Sequence, residues 1–246
     1  SWIQVIKDLN LDEKSLYILI KLFNSLLITC DYVATSCYFD DKEIEHFDFG
    51  LFLKDDERDD KFLFNKIFKD NNLVRKGILD KEERLKRIDI DEINDMNDLR
   101  SKIFFEADRN IKLNYDKNLF FLESPTGSGK TLMSINLANE LLNNTRANKI
   151  FYVFPFNTLV DQTYNTFSNI FKYKYKVNGK LEDIVFDMSI YNSTSMPNLK
   201  FDEDGNPDYS LTMLNRSLYN NKIVFTSHVA LFNLMFGTKR GIIPLW

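Results

Sequence analysis

The feature that most constrains this chain is a glycine-containing turn between an apolar run and a helical pattern. The turn spans Glu123–Thr131 and reads E-S-P-T-G-S-G-K-T. It matches the pattern G-x-x-x-x-G-K-[ST] at every fixed position except the first, where Ser124 replaces glycine. The apolar stretch Leu119–Leu122 precedes the turn, and a helical pattern over Lys130–Leu142 follows it. This order predicts a strand–turn–helix unit of a parallel α/β sheet.

The residue types of the turn are those that an anion site requires. Gly127 and Gly129 allow positive φ, so that successive N–H groups can point into one concavity at a helix N-terminus. We expect Lys130 to bind the β- and γ-phosphates of ATP and Thr131 to bind Mg²⁺, which makes these two the catalytic candidates. The cofactor-binding candidates are Ser124, Pro125, Thr126, Gly127, Ser128, Gly129, Lys130 and Thr131. A glycine-rich turn that binds nothing is the alternative.

The rest of the second half alternates between apolar strands and helices, which predicts a sheet covered on both faces. Strands are predicted at Ile150–Phe154, Ile184–Ile190 and Ile223–Thr226, and helices at Leu99–Asn110, Leu159–Phe171, Leu211–Leu218 and Val229–Phe236. Motor ATPases and small-molecule kinases share such a loop. Kinases usually carry it near the N-terminus, whereas 118 residues precede Leu119 here.

The N-terminal segment is a helical pattern with an apolar stripe from Leu16 to Cys37, which we expect to be buried. Its longest apolar stretch, Leu16–Leu27, is interrupted by Lys21 and Asn24, so we expect no membrane span. The first residues lack the features of a signal peptide. Cys30 and Cys37 lie two helical turns apart, too far for a disulfide, and a reducing cytoplasmic compartment is expected.

Charge divides the chain into parts. Residues 40–98 hold 19 acidic and 12 basic residues, a net charge of −7, which leaves +3 for the remainder of a chain whose total is −4. We interpret 1–39 as the end of an N-terminal domain, 40–98 as a charged connector with short helices at Lys61–Phe68 and Lys81–Ile88, and 99–246 as an α/β domain. The chain begins without Met and stops at Trp246 inside an apolar run, so both ends read as cut.

Over roughly 99–246 the sequence resembles the first RecA-like lobe of superfamily 2 helicases, whose first motif has the form Pro-Thr-Gly-x-Gly-Lys-Thr. The segment beginning Pro155-Phe156-Asn157-Thr158 resembles the next helicase motif, and Thr226-Ser227-His228 a later one. The resemblance implies that single-stranded nucleic acid is contacted by Pro155, Asn157, Thr226, Ser227 and His228. Both segments follow predicted parallel strands, where α/β sheets place ligands. Ordinary helix caps by Asn157 and Ser227 are the alternative.

A narrower resemblance is to the CRISPR-associated helicase–nuclease of type I systems. Asp31-Tyr32-Val33-Ala34-Thr35 resembles the last helix of its HD nuclease domain, and Leu99–Ala107 resembles its lead-in to the phosphate loop. The resemblance implies that Asp31 is a ligand of a divalent transition metal. It also implies an ATP-dependent, single-stranded-DNA-translocating helicase–nuclease of the prokaryotic cytoplasm, recruited by an RNA-guided surveillance complex. An acid at the rim of an apolar helix face is the alternative for Asp31.

The sequence departs from that family in several places. The only histidines are His46 and His228, so the earlier HD ligands are missing. The nearest counterpart of the Walker B motif, Ile184–Asp187, lacks the second acid, and we expect the true acid pair soon after Trp246. The fragment alone is therefore expected to be catalytically inactive. The alternatives are a non-catalytic ATP-binding interaction module and the first lobe of a restriction-type or RNA helicase.

Overall fold

The structure, a computed structural model, describes residues 12–40, 50–53, 59–177, 180–191, 200–201, 207–208 and 219–236. They divide into two compact units. The first draws on Ser1–Gly50, Phe151–Val160 and Ser189–Trp246, and the second on Leu51–Ile150 and Asp161–Met188. Each unit is described by itself.

In the second half of the chain a helix, a strand and a helix alternate over Lys130–Asn144, Ile150–Phe154 and Asn157–Ile170, as the sequence predicts, whereas the described strands between Lys172 and Asp208 follow one another. The helices are α1 (Glu13–Asp40), α2 (Asp60–Asp70), α3 (Asn72–Arg75), α4 (Glu82–Leu85), α5 (Met96–Lys112), α6 (Lys130–Asn144), α7 (Asn157–Ile170) and α8 (His228–Phe236). Short 3₁₀ turns lie at Leu79–Lys81 and Ile90–Glu92. The strands are β1 (Ile150–Phe154), β2 (Lys172–Val177), β3 (Lys180–Val185), β4 (Met188–Tyr191), β5 (Lys200–Phe201), β6 (Pro207–Asp208) and β7 (Ile223–Ser227).

The main sheet is parallel, with strand order β1–β7–β4. Its central strand is buried from Ile223 to Thr226, as a strand with neighbours on both sides and cover on both faces must be. The Tyr152 ring of β1 stacks on the Phe225 ring of β7, with centroids 5.4 Å apart. The sheet and its flanking helices confirm the predicted α/β class of a RecA-like fold.

The second unit has an aromatic core. The rings of Phe64 from α2 and Phe171 stack with centroids 4.4 Å apart, and both are fully buried. Phe186 packs against Phe64 and Phe171, and Phe52 packs against Phe64 and Phe186. Such close aromatic pairs add stability beyond the area that they bury. Residues before the phosphate loop, which the sequence predicts to be a charged connector, therefore contribute Phe52 and Phe64 to a core that Phe171 and Phe186 complete.

The single strand predicted over Ile184–Ile190 is wrong, because the segment forms two strands that pair differently. β3 pairs antiparallel with β2 in a hairpin, while β4 joins the main sheet. Between them, Phe186 is drawn into the aromatic core, so one strand cannot continue across it. The two residues that join β2 to β3 in the sequence are Asn178 and Gly179, the pair that most favours a tight hairpin.

The strand predicted directly before the phosphate loop is absent from the structure. Leu119–Leu122 is assigned no strand, and the side chains of Leu119 and Phe121 are 72% and 83% exposed. An apolar run becomes a strand only when another strand pairs with it, and no strand in the described part of the chain does so. The segment lines a cavity of about 410 Å³ beside α5. The helix predicted at Leu211–Leu218 lies outside the described residues.

The N-terminal helix forms as predicted, but its apolar stripe is not buried. Ser25 and Thr29 are buried on α1, whereas Leu27 is 71% exposed. The helix is also longer than the stretch considered above, and Glu13–Thr35 is long and apolar enough to cross a membrane. The sequence analysis predicts no membrane span because Lys21 and Asn24 interrupt the apolar stretch. The length and hydropathy of the helix show that this interruption does not exclude a span. Buried helices and signal sequences pass the same test, so no membrane assignment follows.

Candidate nucleotide-binding site and nucleic-acid-binding residues

The phosphate loop of the second unit has the backbone that its glycines predict. Gly127 has φ +79° and Gly129 has φ +89°, values that L side chains rarely adopt. Ser128 lies between them, buried, with its N–H donating to the Pro125 carbonyl at 3.3 Å. Helix α6 begins directly after Gly129, and no side chain caps that end. Its first N–H groups are therefore available to an anion.

The side chains of the loop hold it together across its mouth. Lys130 Nζ donates to the Ser124 carbonyl oxygen at 2.5 Å, and the Ser124 and Ser128 hydroxyls are hydrogen-bonded at 2.5 Å. Lys130 is nevertheless exposed, so its ammonium group can exchange the carbonyl for a stronger acceptor. Ser124, which replaces the first glycine of the pattern, thus uses its hydroxyl to hold Ser128. The sequence pattern alone does not predict this hydrogen bond.

Thr131 lies in the first turn of α6 and is half-buried. Its carbonyl accepts a hydrogen bond from the Ser134 hydroxyl at 2.8 Å. Within the described part of the chain, the Thr131 hydroxyl itself forms no hydrogen bond, which leaves its oxygen free for a cation. Hydroxyl and phosphate oxygens are ligands that Mg²⁺ accepts. Together the open loop, Lys130 and Thr131 fit a magnesium nucleotide.

A cavity of about 470 Å³ opens beside the loop. Gly127, Ser128 and Gly129 form one wall, and Arg100 and Phe104 of α5 line it as well. A Cβ placed on Gly127 would lie 3.7 Å from the Arg100 Nη2 atom, so the guanidinium group borders the loop. The remaining lining residues are mostly apolar, with two basic side chains among them: Leu73, Lys76, Gly77, Ile78, Lys81, Asn97, Leu132 and Met133. Its volume falls in the range of small-molecule sites.

Sequence reasoning missed this cavity. The sequence predicts only that Arg100 lies in the segment leading to the loop and that Lys76 lies in the connector. The available signal was Arg100 and Phe104 at i, i+4 spacing on a helix before the loop, which puts both on one face.

Of the two lysines that line the cavity, Lys81 is held by an ion pair. Its Nζ atom lies 3.1 Å from the Asp98 carboxylate, which Arg84 also binds. These two cations lower the pKa of Asp98.

Polar contacts join α5, with the loop that follows it, to α6. Asn136 donates to the Asp108 carboxylate at 2.7 Å, and the Tyr115 hydroxyl donates to buried Glu140 at 2.8 Å. Burial, reinforced by the hydrogen bond to Glu140, raises the pKa of Tyr115 well above its usual value. On another face of α6, Asn139 donates to Asn65 of α2 at 2.9 Å. Helix α6 is thus fixed along its length by directional bonds.

The predicted nucleic-acid contacts belong to the first unit, where the structure divides them. Pro155 and Asn157 are exposed at the end of β1, and His228 is exposed after β7, with its Nδ1 atom 3.4 Å from the Phe154 carbonyl oxygen. Ser227 is half-buried, and its hydroxyl accepts from the Ala230 N–H at 3.3 Å, which is a helix cap. The carboxyl ends of β1 and β7 therefore meet, as parallel neighbours do.

Thr226 has a different role from the predicted one. Its side chain is fully buried, and its hydroxyl donates to the Tyr191 carbonyl of β4 at 2.6 Å. A side chain in that position does not reach a bound strand. The reason is that β7 is buried along its length up to Thr226, so that exposure begins only at Ser227 and His228.

Two other predicted elements have less support from the geometry. Asp31 is exposed on α1, and among the described residues no group of three or more His, Cys, Asp or Glu could hold a metal ion. Asp187, the counterpart considered for the Walker B acid, follows a hairpin strand rather than a strand of the main sheet.

The parallel sheet and the glycine loop at the start of α6 define a P-loop nucleotide-binding domain of the α/β class. The family model described as "Type III restriction enzyme, res subunit" matches residues 80–236, well over half of the chain. The chain therefore belongs to this family, and it carries a superfamily 2 helicase lobe, which confirms that part of the prediction. This family of ATP-dependent helicase-like domains implies ATP and Mg²⁺ as cofactors. No curated protein and no solved structure matches the chain.

Proposed function

We propose that this chain is the nucleotide-binding lobe of an ATP-dependent motor that moves along single-stranded DNA. The observation that carries the proposal is the loop geometry: two glycines at positive φ, an uncapped helix start and an exposed lysine all face one anion site. Mg²⁺ held with ATP would neutralise phosphate charge. Lys130 and the loop N–H groups would bind the phosphates, and the Thr131 hydroxyl would be a ligand of the cation.

The cavity beside the loop is the place for the nucleoside. Its lining from Leu73, Phe104 and Leu132 offers apolar surface to a flat base, while Arg100 borders the loop end where the phosphates begin. A guanidinium group in that position can bind a phosphate oxygen or lie over the base. The arrangement supports recognition of a whole nucleotide rather than of a free phosphate ion.

For the nucleic-acid strand, the exposed groups at the ends of β1 and β7 are the candidates. Pro155, Asn157 and His228 are exposed, and Ser227 begins α8 beside them. Contacts of this kind position a phosphate backbone without reading its sequence. The overall charge of −4 gives no large attraction, so the affinity of the chain for DNA depends on local groups.

The experiment is a comparison of Lys130→Ala with Lys66→Ala, in which the control removes an exposed lysine of α2. Binding of a fluorescent ATP analogue is measured with and without Mg²⁺. Losing one charge-assisted hydrogen bond costs about 1.5–3 kcal/mol, so Lys130→Ala should bind about 10- to 150-fold more weakly and the control should match the parent. If the parent, Lys130→Ala and Lys66→Ala all bind the analogue equally and independently of Mg²⁺, the proposal is refuted. Binding is the property to measure, because in the sequence no acid pair for hydrolysis follows β1, β7 or β4, the described strands of the main sheet.

Two finer assignments are proposed for the protein that contains this chain, a restriction-type helicase and a CRISPR-associated helicase–nuclease. A restriction-type helicase fits the family match directly. The CRISPR-associated helicase–nuclease is favoured by the pattern at Asp31 and Thr35, which lie one turn apart and are both exposed on α1. The described residues do not form a metal site there, so no nuclease chemistry is assigned to them. The open reading frame that contains the chain separates the two, because a His-Asp cluster encoded upstream would favour the nuclease and its absence would favour the restriction type.

A further inference from the structure

The hairpin of β2 and β3 carries a sequence in which lysines and tyrosines alternate. Strand β2 reads K-Y-K-Y-K-V over Lys172–Val177. Alternate residues of a strand share a face, so Lys172, Lys174 and Lys176 occupy one face at intervals of about 6.6–6.8 Å. Tyr173 and Tyr175 fall on the opposite face. We call the first of these the lysine face of the hairpin.

The register shows which residues of β3 share the lysine face. Lys172 pairs with Val185, Lys174 with Asp183, and Lys176 with Leu181. Asp183 is thus the acid at these positions, and its carboxylate lies 3.0 Å from the Lys172 Nζ atom. Among the side chains that the structure describes, Lys172 and Lys174 against Asp183 leave a charge of about +1 on this face, and the register places Lys176 on the same face of the strand. Lys174 is exposed and forms no ion pair within the described part of the chain.

The opposite face turns toward the protein, which fixes the lysine face outward. Tyr173 and Ile184, a cross-strand pair on that opposite face, are both half-buried, whereas Lys172, Lys174 and Asp183 are exposed. The base of the hairpin is anchored as well, because the Phe186 N–H donates to the Phe171 carbonyl at 3.1 Å and both rings lie in the aromatic core. The lysines therefore stand on a supported strand and not on a free loop.

We propose that the lysine face binds the phosphate backbone of single-stranded DNA, as a second contact besides the residues at the ends of β1 and β7. The lysines are regularly spaced along the strand, and the phosphate groups of a nucleic-acid backbone also recur at regular intervals. A single strand can align with a straight row of cations, whereas the phosphates of a duplex follow a rigid helical path. This inference rests on the proposed function, because it assumes that the chain binds single-stranded DNA.

The experiment compares two variants of the full chain that each lose three positive charges. The test variant is Lys172→Gln with Lys174→Gln and Lys176→Gln, and the control is Lys14→Gln with Lys66→Gln and Lys69→Gln, three exposed helical lysines. Fluorescence anisotropy follows binding of a labelled single-stranded DNA oligonucleotide at a series of salt concentrations. Each lost phosphate contact lowers the slope of log K against log salt by about 0.7 for single strands.

We expect the slope of the test variant to fall by about 2, and the affinity at 0.1 M salt to fall by up to about 100-fold. The control should keep the parent slope. An unchanged slope in the test variant, an equal change in the control, a loss confined to blunt duplex DNA, or a parent that does not bind single strands would each overturn the inference. Should the triple variant unfold, Lys174→Gln alone carries the test, with an expected change of about 0.7.

Nucleotide binding by the same variants keeps the two proposals distinguishable. The lysine face does not line the cavity beside the phosphate loop, so the test variant should bind the fluorescent ATP analogue like the parent. If DNA binding is unaffected by the substitutions while Lys130→Ala still weakens nucleotide binding as expected, the hairpin proposal fails and the proposed function stands.

Discussion

Replacing Gly129 or Gly50 by alanine separates backbone strain from steric conflict. Both residues have positive φ, +89° and +65° respectively, so each substitution incurs the left-handed backbone cost of about 1–2 kcal/mol. A Cβ on Gly129 meets no atom within 4 Å, whereas one on Gly50 would lie 2.5 Å from the backbone of Asn220 and Asn221. Overpacking of that kind adds about 1–3 kcal/mol. Gly50→Ala should therefore be the more destabilising change by roughly that amount.

Thermal unfolding followed by circular dichroism measures the difference. In a chain of this size about 1 kcal/mol shifts Tm by about 2–4 °C, so Gly129→Ala should lower Tm by about 2–8 °C and Gly50→Ala by clearly more. Nucleotide binding should show the opposite order, because only Gly129 belongs to the phosphate loop. Equal losses of Tm would show that the turn at Gly129 is not as open as described. Unchanged nucleotide affinity in Gly129→Ala would remove the loop from the binding site.

Two further predictions concern the second unit. Phe171→Ala removes the ring that stacks on Phe64 and should cost about 3–5 kcal/mol in chemical unfolding, whereas Phe62→Ala, at a ring 60% exposed, should stay within about 0.5 kcal/mol; equal costs would contradict the core described here. The raised pKa of Tyr115 means that the folded state holds its proton more tightly than the unfolded state, so stability should be full below about pH 10 and decline as the pH rises above it. Tyr115→Phe should lose that decline in denaturant midpoints measured between pH 8 and 11, and a parent whose midpoint is flat over that range would refute the assignment.

The phosphate loop is the part of the site that the sequence predicts best. Its conformation depends on local residues, since the spacing of Gly127 and Gly129 before Lys130 determines the turn. The cavity beside it could not be predicted in the same way, because Lys76 and Arg100 come together only when α3 and α5 pack. Arg100 lies on a face that periodicity identifies, but periodicity does not say what that face adjoins.

The errors have the same physical origin. The run Leu119–Leu122 has strand character, yet pairing is a non-local property and no described strand supplies it. The stripe on α1 predicts a helix correctly, but which side of a helix is buried depends on its neighbours, and here Ser25 and Thr29 are the buried side chains. The motif predicts that Thr226 contacts nucleic acid, whereas its position in the central strand buries it.

The hydrogen bonds between α5 and α6 have a mechanical consequence. Two helices held by aliphatic contacts can slip along each other, because one methyl group replaces another at little cost. Donor–acceptor pairs such as Asn136 with Asp108 specify a single alignment, and slipping would take the buried Asn136 amide away from the carboxylate that accepts its hydrogen bond. The two helices should therefore move as one rigid body. A displacement of α5 at Arg100 would then displace the phosphate loop at Gly127 by the same amount.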